Sequence, residues 1–221
     1  MAVPAAPPAP PALELASTAM SASAFAIANE LDQQPEPTRL SVRVRTLNVL
    51  AGHSVLLAGR LLGSRGSLAL PGRMVTLQRL ARHGWQTIAR VRTSTNGRYR
   101  LRFLAERTGS EAVRLRFAGD LADAASHRRL GRLNVYRLAQ VSWYGGGGEL
   151  ACGGALTDST LGVANKTLPC GTLVTLRYGD RSIRVPVVDR GPFVPGREFD
   201  LTLATKEALR FGGTGVVWTT S

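Results

Sequence analysis

The sequence lacks several features that mark common classes of protein. No apolar run approaches the roughly 18 to 20 residues that a membrane-spanning helix requires, so we expect no such helix. The 221 residues include only three histidines, His53, His83 and His127, which are scattered and not near either cysteine. Because a metal site needs several ligands at suitable spacing, we predict no metal, and we expect no cofactor.

Cysteine is also scarce, with Cys152 and Cys170 alone, 18 residues apart. An even count favours a disulfide, which in an exported protein would add about 3 kcal/mol by constraining the unfolded chain. Two buried free thiols are the alternative.

Positive charge is abundant and unevenly distributed. The formal charge is +13, with −3 over residues 1–39 and +1 over residues 141–221, so the middle carries +15, almost wholly as arginine. Such a field attracts polyanions, including anionic cell-wall polymers and nucleic acid. The alternative is a solvated sheet face in a chain that prefers arginine to lysine.

Residues 1–39 are rich in proline and alanine and show no periodicity long enough to fold alone, which predicts a disordered tail or linker. No Lys or Arg precedes Arg39, so a normal export signal is not visible. One hypothesis is that the true start lies upstream and this tail holds the end of a signal peptide. Another is cleavage near Ala22 to Ala28, where small residues recur.

Residues 40–138 show short alternating apolar and polar runs between turn residues. In the run from Arg98 to Phe103, the period of two places three arginines on one face and Tyr99, Leu101 and Phe103 on the other. Together with the GRMVTLQRL and TSTNGRYRLRF segments, the pattern resembles bacterial immunoglobulin-like modules, which implies a β-sandwich. The predicted strands are Ser41 to Val49, Ser54 to Leu61, Met74 to Leu80, Trp85 to Thr93, Arg98 to Leu104, Ala112 to Phe117 and Arg132 to Leu138.

Nucleic-acid binding by this basic region is not expected. Binding of single strands relies on exposed aromatic side chains between the cations. The alternation assigns Tyr99, Phe103 and Phe117 to the core and leaves only Trp85 as a candidate.

Three motifs follow in the last segment, residues 139–221, where arginine becomes sparse and glycine frequent. They are VSWYG at 141–145 followed by glycines to 148, NKTLPCGT at 165–172, and VDRGPF at 188–193 followed by GR at 196–197 and FDL at 199–201. In this order and spacing they resemble the rare lipoprotein A (RlpA) family. The resemblance covers about 80 of the 221 residues.

This resemblance implies a six-stranded double-psi β-barrel with one short helix, so the whole chain is expected to be mainly β. The residues agree with that expectation. Ile183, Val185 and Val187 alternate as in a strand, and Thr202 can cap a helix from about Leu203 to Arg210. Further strands are predicted at Leu173 to Tyr178 and Gly215 to Thr219.

In this family, and in the related expansins and certain endoglucanases, the aspartate at the position of Asp189 is the acid that protonates the glycosidic oxygen. Such a role needs a carboxyl that still holds its proton near neutral pH. The alternative is a turn aspartate that accepts backbone N–H bonds and pairs with Arg190. Asp200, just before the predicted helix, is expected to act as a cap. The residues expected to bind substrate are Trp143, Tyr144, Lys166, Arg190, Phe193 and Arg197.

The chain departs from the family at two positions. Active members carry a Glu after the aromatic motif and a His before KTLP, where this chain has Gly154 and Asn165. Any activity must then rest on Asp189, with Asn165, Asp158 or Glu149 as auxiliary groups. A single acid can suffice in a lytic transglycosylase, since the 6-hydroxyl of the muramic acid attacks and leaves a 1,6-anhydro product. Hydrolysing glycosidases usually need two carboxylates.

Three functions are therefore considered for an exported protein of the cell envelope. The first is a lytic transglycosylase of peptidoglycan with Asp189 as general acid. The second is a non-catalytic protein that binds peptidoglycan or another wall polysaccharide, or loosens the wall as expansins do. The third is a structural or partner-binding protein in which the arginine-rich sandwich is essential, with anionic wall polymers as its partners.

Overall fold

The computed structural model describes residues 34–63 and 68–221. Tail residues 1–33, with the cleavage site predicted near Ala22 to Ala28, lie outside the described residues. No helix in the described part of the chain is long and apolar enough to cross a bilayer. Residues 34–39 are the described end of the predicted tail. They belong to the fold, because Thr38 and Arg39 begin strand β1 (Thr38–Leu40).

Eight strands of the described residues precede residue 118, and most alternate buried and exposed side chains. Besides β1 they are β2 (Arg43–Val44), β3 (Asn48–Leu50), β4 (His53–Gly63), β5 (Met74–Ala81), β6 (Gly84–Arg92), β7 (Arg98–Ala105) and β8 (Gly109–Phe117). The face assignment in β7 is confirmed: Tyr99 and Leu101 are buried, and the alternating arginines are exposed.

The first predicted strand, Ser41 to Val49, is wrong as a single element. The hydroxyl of Thr46 accepts a hydrogen bond from the Asn48 amide at 2.9 Å, which turns the chain between β2 and β3. Such local side-chain bonds compete with a strand ladder. As a result β2 pairs with β4, whereas β3 joins β9 (Ser126–Tyr144) in a different sheet.

Two sheets share one hydrophobic core between Leu40 and Val135. In the first sheet, β4 lies beside β1, β2 and β7; the second runs β3, β9, β8, β5, β6. Leu57 and Leu101 from the first sheet and Val75, Leu77 and Leu115 from the second are all at most 1% exposed. The immunoglobulin-like assignment of residues 40–138 stays a prediction.

Strand β9 is 19 residues long and links this region to the rest of the chain. Its first part pairs with β8, and its second part pairs with strands of the C-terminal region. The boundary predicted between residues 138 and 139 therefore falls inside one continuous strand, and the division into domains stays a prediction.

The C-terminal strands close into a six-stranded ring. In spatial order the ring runs β13, β10, β12, β11, β14, β9, and β9 then pairs with β13. Two of its pairings, β10 with β12 and β9 with β13, are parallel. The added strands are β10 (Val163–Ala164), β11 (Leu173–Tyr178), β12 (Arg181–Asp189), β13 (Phe199–Thr202) and β14 (Gly215–Thr219). The predicted barrel with six strands is confirmed.

One short helix, α1 (Leu203–Leu209), follows β13. Thr202 occupies the N-cap position as predicted, although its hydroxyl bonds to Gly162 and Thr205 rather than to a helix amide. Arg210 adopts a left-handed conformation that ends the helix one residue earlier than expected. The helix therefore leaves Asp200 inside β13, two residues before the cap.

Candidate functional site

Asp189 ends β12, where a strand meets the loop that carries the DRGPF motif. Its Oδ1 accepts hydrogen bonds from the backbone amides of Ala151 at 2.9 Å and Arg190 at 2.8 Å. Its backbone carbonyl accepts a third bond, at 3.1 Å, from the Asn165 amide. The side chain is half-buried, and its Oδ2 accepts no hydrogen bond from the described residues. One oxygen is thus fixed by the backbone, and the other is not.

The glycine-rich loop at 145–156 covers one side of Asp189. It folds back on itself, because Leu156 and Leu150 donate backbone hydrogen bonds to Gly148 and Gly154. Cys152 forms a disulfide with Cys170 and also donates its amide to the Val188 carbonyl at 3.2 Å. The predicted disulfide is confirmed and the free-thiol alternative is wrong. The bridge ties the glycine loop to the KTLP loop.

Asn165 is buried, with 8% of its surface exposed, and its side chain organises the KTLP loop. Its Oδ1 accepts the amides of Thr167 at 3.1 Å and Leu168 at 2.8 Å, while its Nδ2 donates to the Glu198 carbonyl at 3.0 Å. An amide supplies an acceptor and a donor at the same time. Asn165 therefore holds two loops together beside Asp189.

Arg190 does not pair with Asp189. One of its terminal nitrogens donates to the carbonyls of Asn165 at 3.0 Å and Leu168 at 2.8 Å, and the other approaches the Cys170 sulfur at 3.1 Å. The turn-aspartate alternative is thus only half supported, since the backbone bonds form and the ion pair does not. Arg190 fastens the KTLP loop to the DRGPF loop.

A polar cluster that the sequence did not predict lies next to Asp189. Asp200 accepts a short hydrogen bond from the Ser142 hydroxyl across the parallel pair of β13 and β9. The expectation that Asp200 caps the helix is wrong, because it belongs to β13. Only the long-range register of β13 against β9 reveals this pair, and no local sequence signal carries that register.

The Tyr144 hydroxyl is buried near both carboxylates. It has no hydrogen-bond partner among the described residues, and Asp189 lies nearby without reaching hydrogen-bonding geometry. Burial raises the pKa of Tyr144, and the negative charges of Asp189 and Asp200 raise it further. The phenol is therefore kept in the protonated form that can donate a hydrogen bond.

Trp143 and Tyr144 are successive residues of β9, and successive side chains of a strand point to opposite faces. Trp143 is 41% exposed, and the Lys206 ammonium of α1 lies 4.1 Å from the centre of its ring. One face of the indole is therefore already occupied by a cation. Phe193 is 81% exposed in the DRGPF loop, so its ring is open to a ligand.

Lys166 and Arg197 line a shared cavity of about 250 Å³ together with Asn165 and Arg137. Glu198 also lines it and pairs with Arg137 at 2.6 Å, whereas Lys166 and Arg197 have no carboxylate partner in the part of the chain that the structure describes. Asp158 is exposed and forms no hydrogen bond or ion pair within residues 34–63 and 68–221. Within those ranges, no group of three or more His, Cys, Asp and Glu side chains is arranged to hold a metal ion.

Comparison with known proteins matches this same region. Residues 138–219 fit the protein-family model described as lytic transglycolase. Over 83 residues the chain is 39% identical to endolytic peptidoglycan transglycosylase RlpA of Rickettsia bellii, covering 34% of this chain and 37% of that protein. Over 87 residues it is 37% identical to the probable endolytic peptidoglycan transglycosylase RlpA of Aquifex aeolicus, covering 37% and 38%. The chain therefore spans less than two fifths of the length of these relatives.

Among solved structures, Streptomyces papain inhibitor is 25% identical, covering 39% of this chain and 94% of that one, with a TM-score of 0.32. That score is too low to support an argument.

The closed six-stranded ring, its helix and the family match define residues 138–219 as a double-psi β-barrel domain of the lytic transglycolase type. Within that class the domain is RlpA-like, as the motifs at 141–145, 165–172 and 188–193 indicate and as both relatives support. The predicted relation to expansins stays a prediction.

Proposed function

We propose that the barrel domain acts on the glycan strands of peptidoglycan as a lytic transglycosylase, with Asp189 as the general acid. The names of the RlpA relatives support the substrate and the type of reaction. The observation that carries the role of Asp189 is its asymmetric bonding. Two backbone amides hold Oδ1, while Oδ2 accepts no hydrogen bond from the described residues. A carboxyl positioned in this way can present a proton on Oδ2 to a glycosidic oxygen.

The reaction needs one proton donor that is later restored. Asp189 protonates the leaving glycosidic oxygen as the bond to C1 of the muramic acid breaks. The 6-hydroxyl of the same sugar then attacks C1 and returns its proton to the Asp189 carboxylate, which closes the 1,6-anhydro ring. No water is consumed, so a second carboxylate to activate water is not required.

Neighbouring groups support this chemistry without taking part in proton transfer. The protonated Tyr144 phenol can donate a hydrogen bond to Asp189 or to the sugar, and exposed Phe193 offers an apolar surface for a sugar ring. Lys166 and Arg197 provide cationic contacts along the strand. By contrast, the side-chain amide of Asn165 forms its hydrogen bonds with backbone groups and so positions the loop.

Gly154, which replaces the family Glu, stands at a backbone φ of +88°, where a side chain is strained. This favours a second candidate function, in which the same groove binds glycan without cleaving it. The loop has no carboxylate at this position, and its conformation there is not suited to one. We also propose that the protein is exported to the cell envelope, which the disulfide favours.

The deciding experiment is a digest of purified peptidoglycan, intact or with stem peptides removed, by the full chain. Mass spectrometry for 1,6-anhydro products compares wild type with Asp189→Asn and Asp158→Asn. Asparagine keeps an oxygen for the Ala151 and Arg190 amides, so Asp189→Asn should fold and bind glycan but release no anhydro product. Asp158→Asn, at an exposed carboxylate without partners among the described residues, should behave as wild type, and a loss of product there would instead assign Asp158 the auxiliary role. Binding to the wall with no product from wild type would establish the second function instead.

A further inference from the structure

A second cavity lies away from the barrel. It is a groove of about 1,040 Å³ over the first sheet and the end of β6. Five arginines line it, and we call it the arginine groove: Arg43, Arg60, Arg92, Arg98 and Arg100. No Asp or Glu is among its lining residues. None of the five arginines forms an ion pair in the described part of the chain, where the recorded pairs involve other arginines.

The strand register explains how the groove is built. Ala58 of β4 lies between Arg43 of β2 and Arg100 of β7, and it pairs with both. A small side chain in the middle strand therefore forms a floor between two long cationic side chains. Gly59 beside it has no room for a side chain, because a Cβ there would lie 2.1 Å from the Ser41 carbonyl oxygen.

The arrangement also carries an electrostatic cost. Arg60 and Arg98 are directly opposed across β4 and β7. Like charges in directly opposed positions destabilise a sheet, and folding alone gives no reason to keep them. An anionic ligand would offset this repulsion.

The size and chemistry of the groove indicate a polymer with phosphodiester groups. Its volume reaches the upper end of small-molecule sites, which run from about 300 to 1,000 Å³. Arginine presents a planar fork that binds phosphate oxygens in pairs. Arg98 and Arg100 lie two residues apart on one strand face, about 6 to 7 Å, so successive cations can follow an extended chain.

The groove lacks a surface for stacking rings. Its one aromatic residue, Tyr99, is 3% exposed and donates its hydroxyl hydrogen to the Ser41 carbonyl at 2.5 Å. Single-stranded nucleic acids gain much of their affinity from stacking bases on exposed aromatics, and sugar rings also pack on such surfaces. We therefore propose that the arginine groove binds a flexible polyol-phosphate polymer of the cell envelope.

The test measures binding of the full chain to synthetic poly(glycerol phosphate) over a range of salt concentrations. The groove variant is Arg60→Gln, Arg98→Gln and Arg100→Gln. The control variant is Arg82→Gln, Arg107→Gln and Arg128→Gln, which removes the same charge from exposed arginines outside the groove. Affinity falls as salt rises, and each lost phosphate contact makes the slope of log affinity against log salt shallower by about 0.7. The slope of the groove variant should therefore be shallower by about 2, and its affinity at least tenfold lower. The affinity of the control variant should stay within about twofold of wild type.

Two competing polymers make the result specific. Oligothymidylate and polyglutamate at the same charge concentration should bind at least tenfold more weakly than poly(glycerol phosphate). An equal loss in the control variant would overturn the proposal, because binding would then follow net charge. Tighter binding of oligothymidylate would assign the groove to nucleic acid, and equal binding of polyglutamate would remove the preference for phosphate. Should the triple variant fail to fold, Arg43→Gln with Arg60→Gln repeats the test with an expected slope loss of about 1.4.

Discussion

In the barrel, polar side chains near Asp189 are tied to backbone groups. In the first sheet, by contrast, four of the groove arginines face solvent without carboxylate partners among the described residues. Asn165 and Arg190 together bond to four backbone carbonyls and amides of the KTLP loop. Arg60 and Arg98 instead oppose each other directly. The barrel uses its polar groups to fix loop geometry, and the first sheet keeps its cations available for a ligand.

Substitutions in the two cores test whether the barrel and the two sheets before it fold separately. Leu57→Ala in the first core and Leu176→Ala in the barrel core each remove a fully buried leucine, and each should cost about 2 to 5 kcal/mol. Strand β9 runs through both regions, and its Tyr136 donates a hydrogen bond to Asn48 of β3 while its ring centre lies 5.7 Å from that of Trp218 in β14. We therefore expect one cooperative unfolding transition, which both variants shift to lower denaturant concentration.

The measurement is equilibrium unfolding in urea, followed by tryptophan fluorescence and by far-ultraviolet circular dichroism. Trp85 in β6 reports on the two sheets before the barrel, whereas Trp143 and Trp218 report on the barrel. Two transitions, each sensitive to only one of the two variants, would show that the regions are independent domains despite their common strand.

The disulfide gives the next largest effect and is confined to the barrel. Replacing Cys152 and Cys170 by serine should lower the free energy of unfolding by about 3 kcal/mol, as expected for a closed loop of this size. The barrel site should suffer most, because the bridge holds the glycine loop against Asp189. Urea unfolding with and without reductant measures the effect. The double-serine variant is the control, since reductant should leave its midpoint unchanged.

Asn165 tests how far the barrel depends on loop bonds. Asn165→Ala leaves the amides of Thr167 and Leu168 without their acceptor and should cost about 1 to 3 kcal/mol. Asn165→Asp keeps both acceptor bonds but sets a carboxylate oxygen against the Glu198 carbonyl, so it should lower global stability while leaving the Thr167 and Leu168 amides protected. Hydrogen exchange of the Thr167 and Leu168 amides measures the loss of these bonds directly. Equal exchange in the alanine and aspartate variants would contradict a loop-organising role.

The barrel was predictable because three motifs resemble the RlpA family, which implies this fold, and the alternating strands agree with it. The bounds of β11 and β14 agree with the prediction, and the pairing of Cys152 with Cys170 followed from their even count. The contact of Ser142 with Asp200 was not predictable, since it depends on the parallel register of β9 and β13 across 58 residues. The turn at Thr46 was missed because a local hydrogen bond to its hydroxyl interrupts a segment whose alternation predicts one continuous strand.

Only part of the arginine groove could be predicted from the sequence. Alternation in β7 placed Arg98 and Arg100 on one face, and the structure confirms that both are exposed. Sequence alone did not bring Arg43 and Arg60 beside them, because the pairing of β2 and β7 with β4 is long-range. A charge count therefore indicated a basic region, while the register was needed to form a site.

The smallest predicted effect separates binding from stability in that groove. Arg98→Gln removes the direct repulsion with Arg60, so it should raise the free energy of unfolding by a few tenths of a kcal/mol at low salt. The gain should vanish near 1 M salt, where charges are screened within about 3 Å. Arg102→Gln is the matched control on the same strand face, since its partner across β4 is the uncharged Leu56. Urea unfolding at both salt concentrations checks this, and a gain of equal size in both variants would show that strand propensity, and not repulsion, is responsible. If the loss of a groove arginine stabilises the fold, that arginine does not serve folding, as the proposed anion-binding role requires.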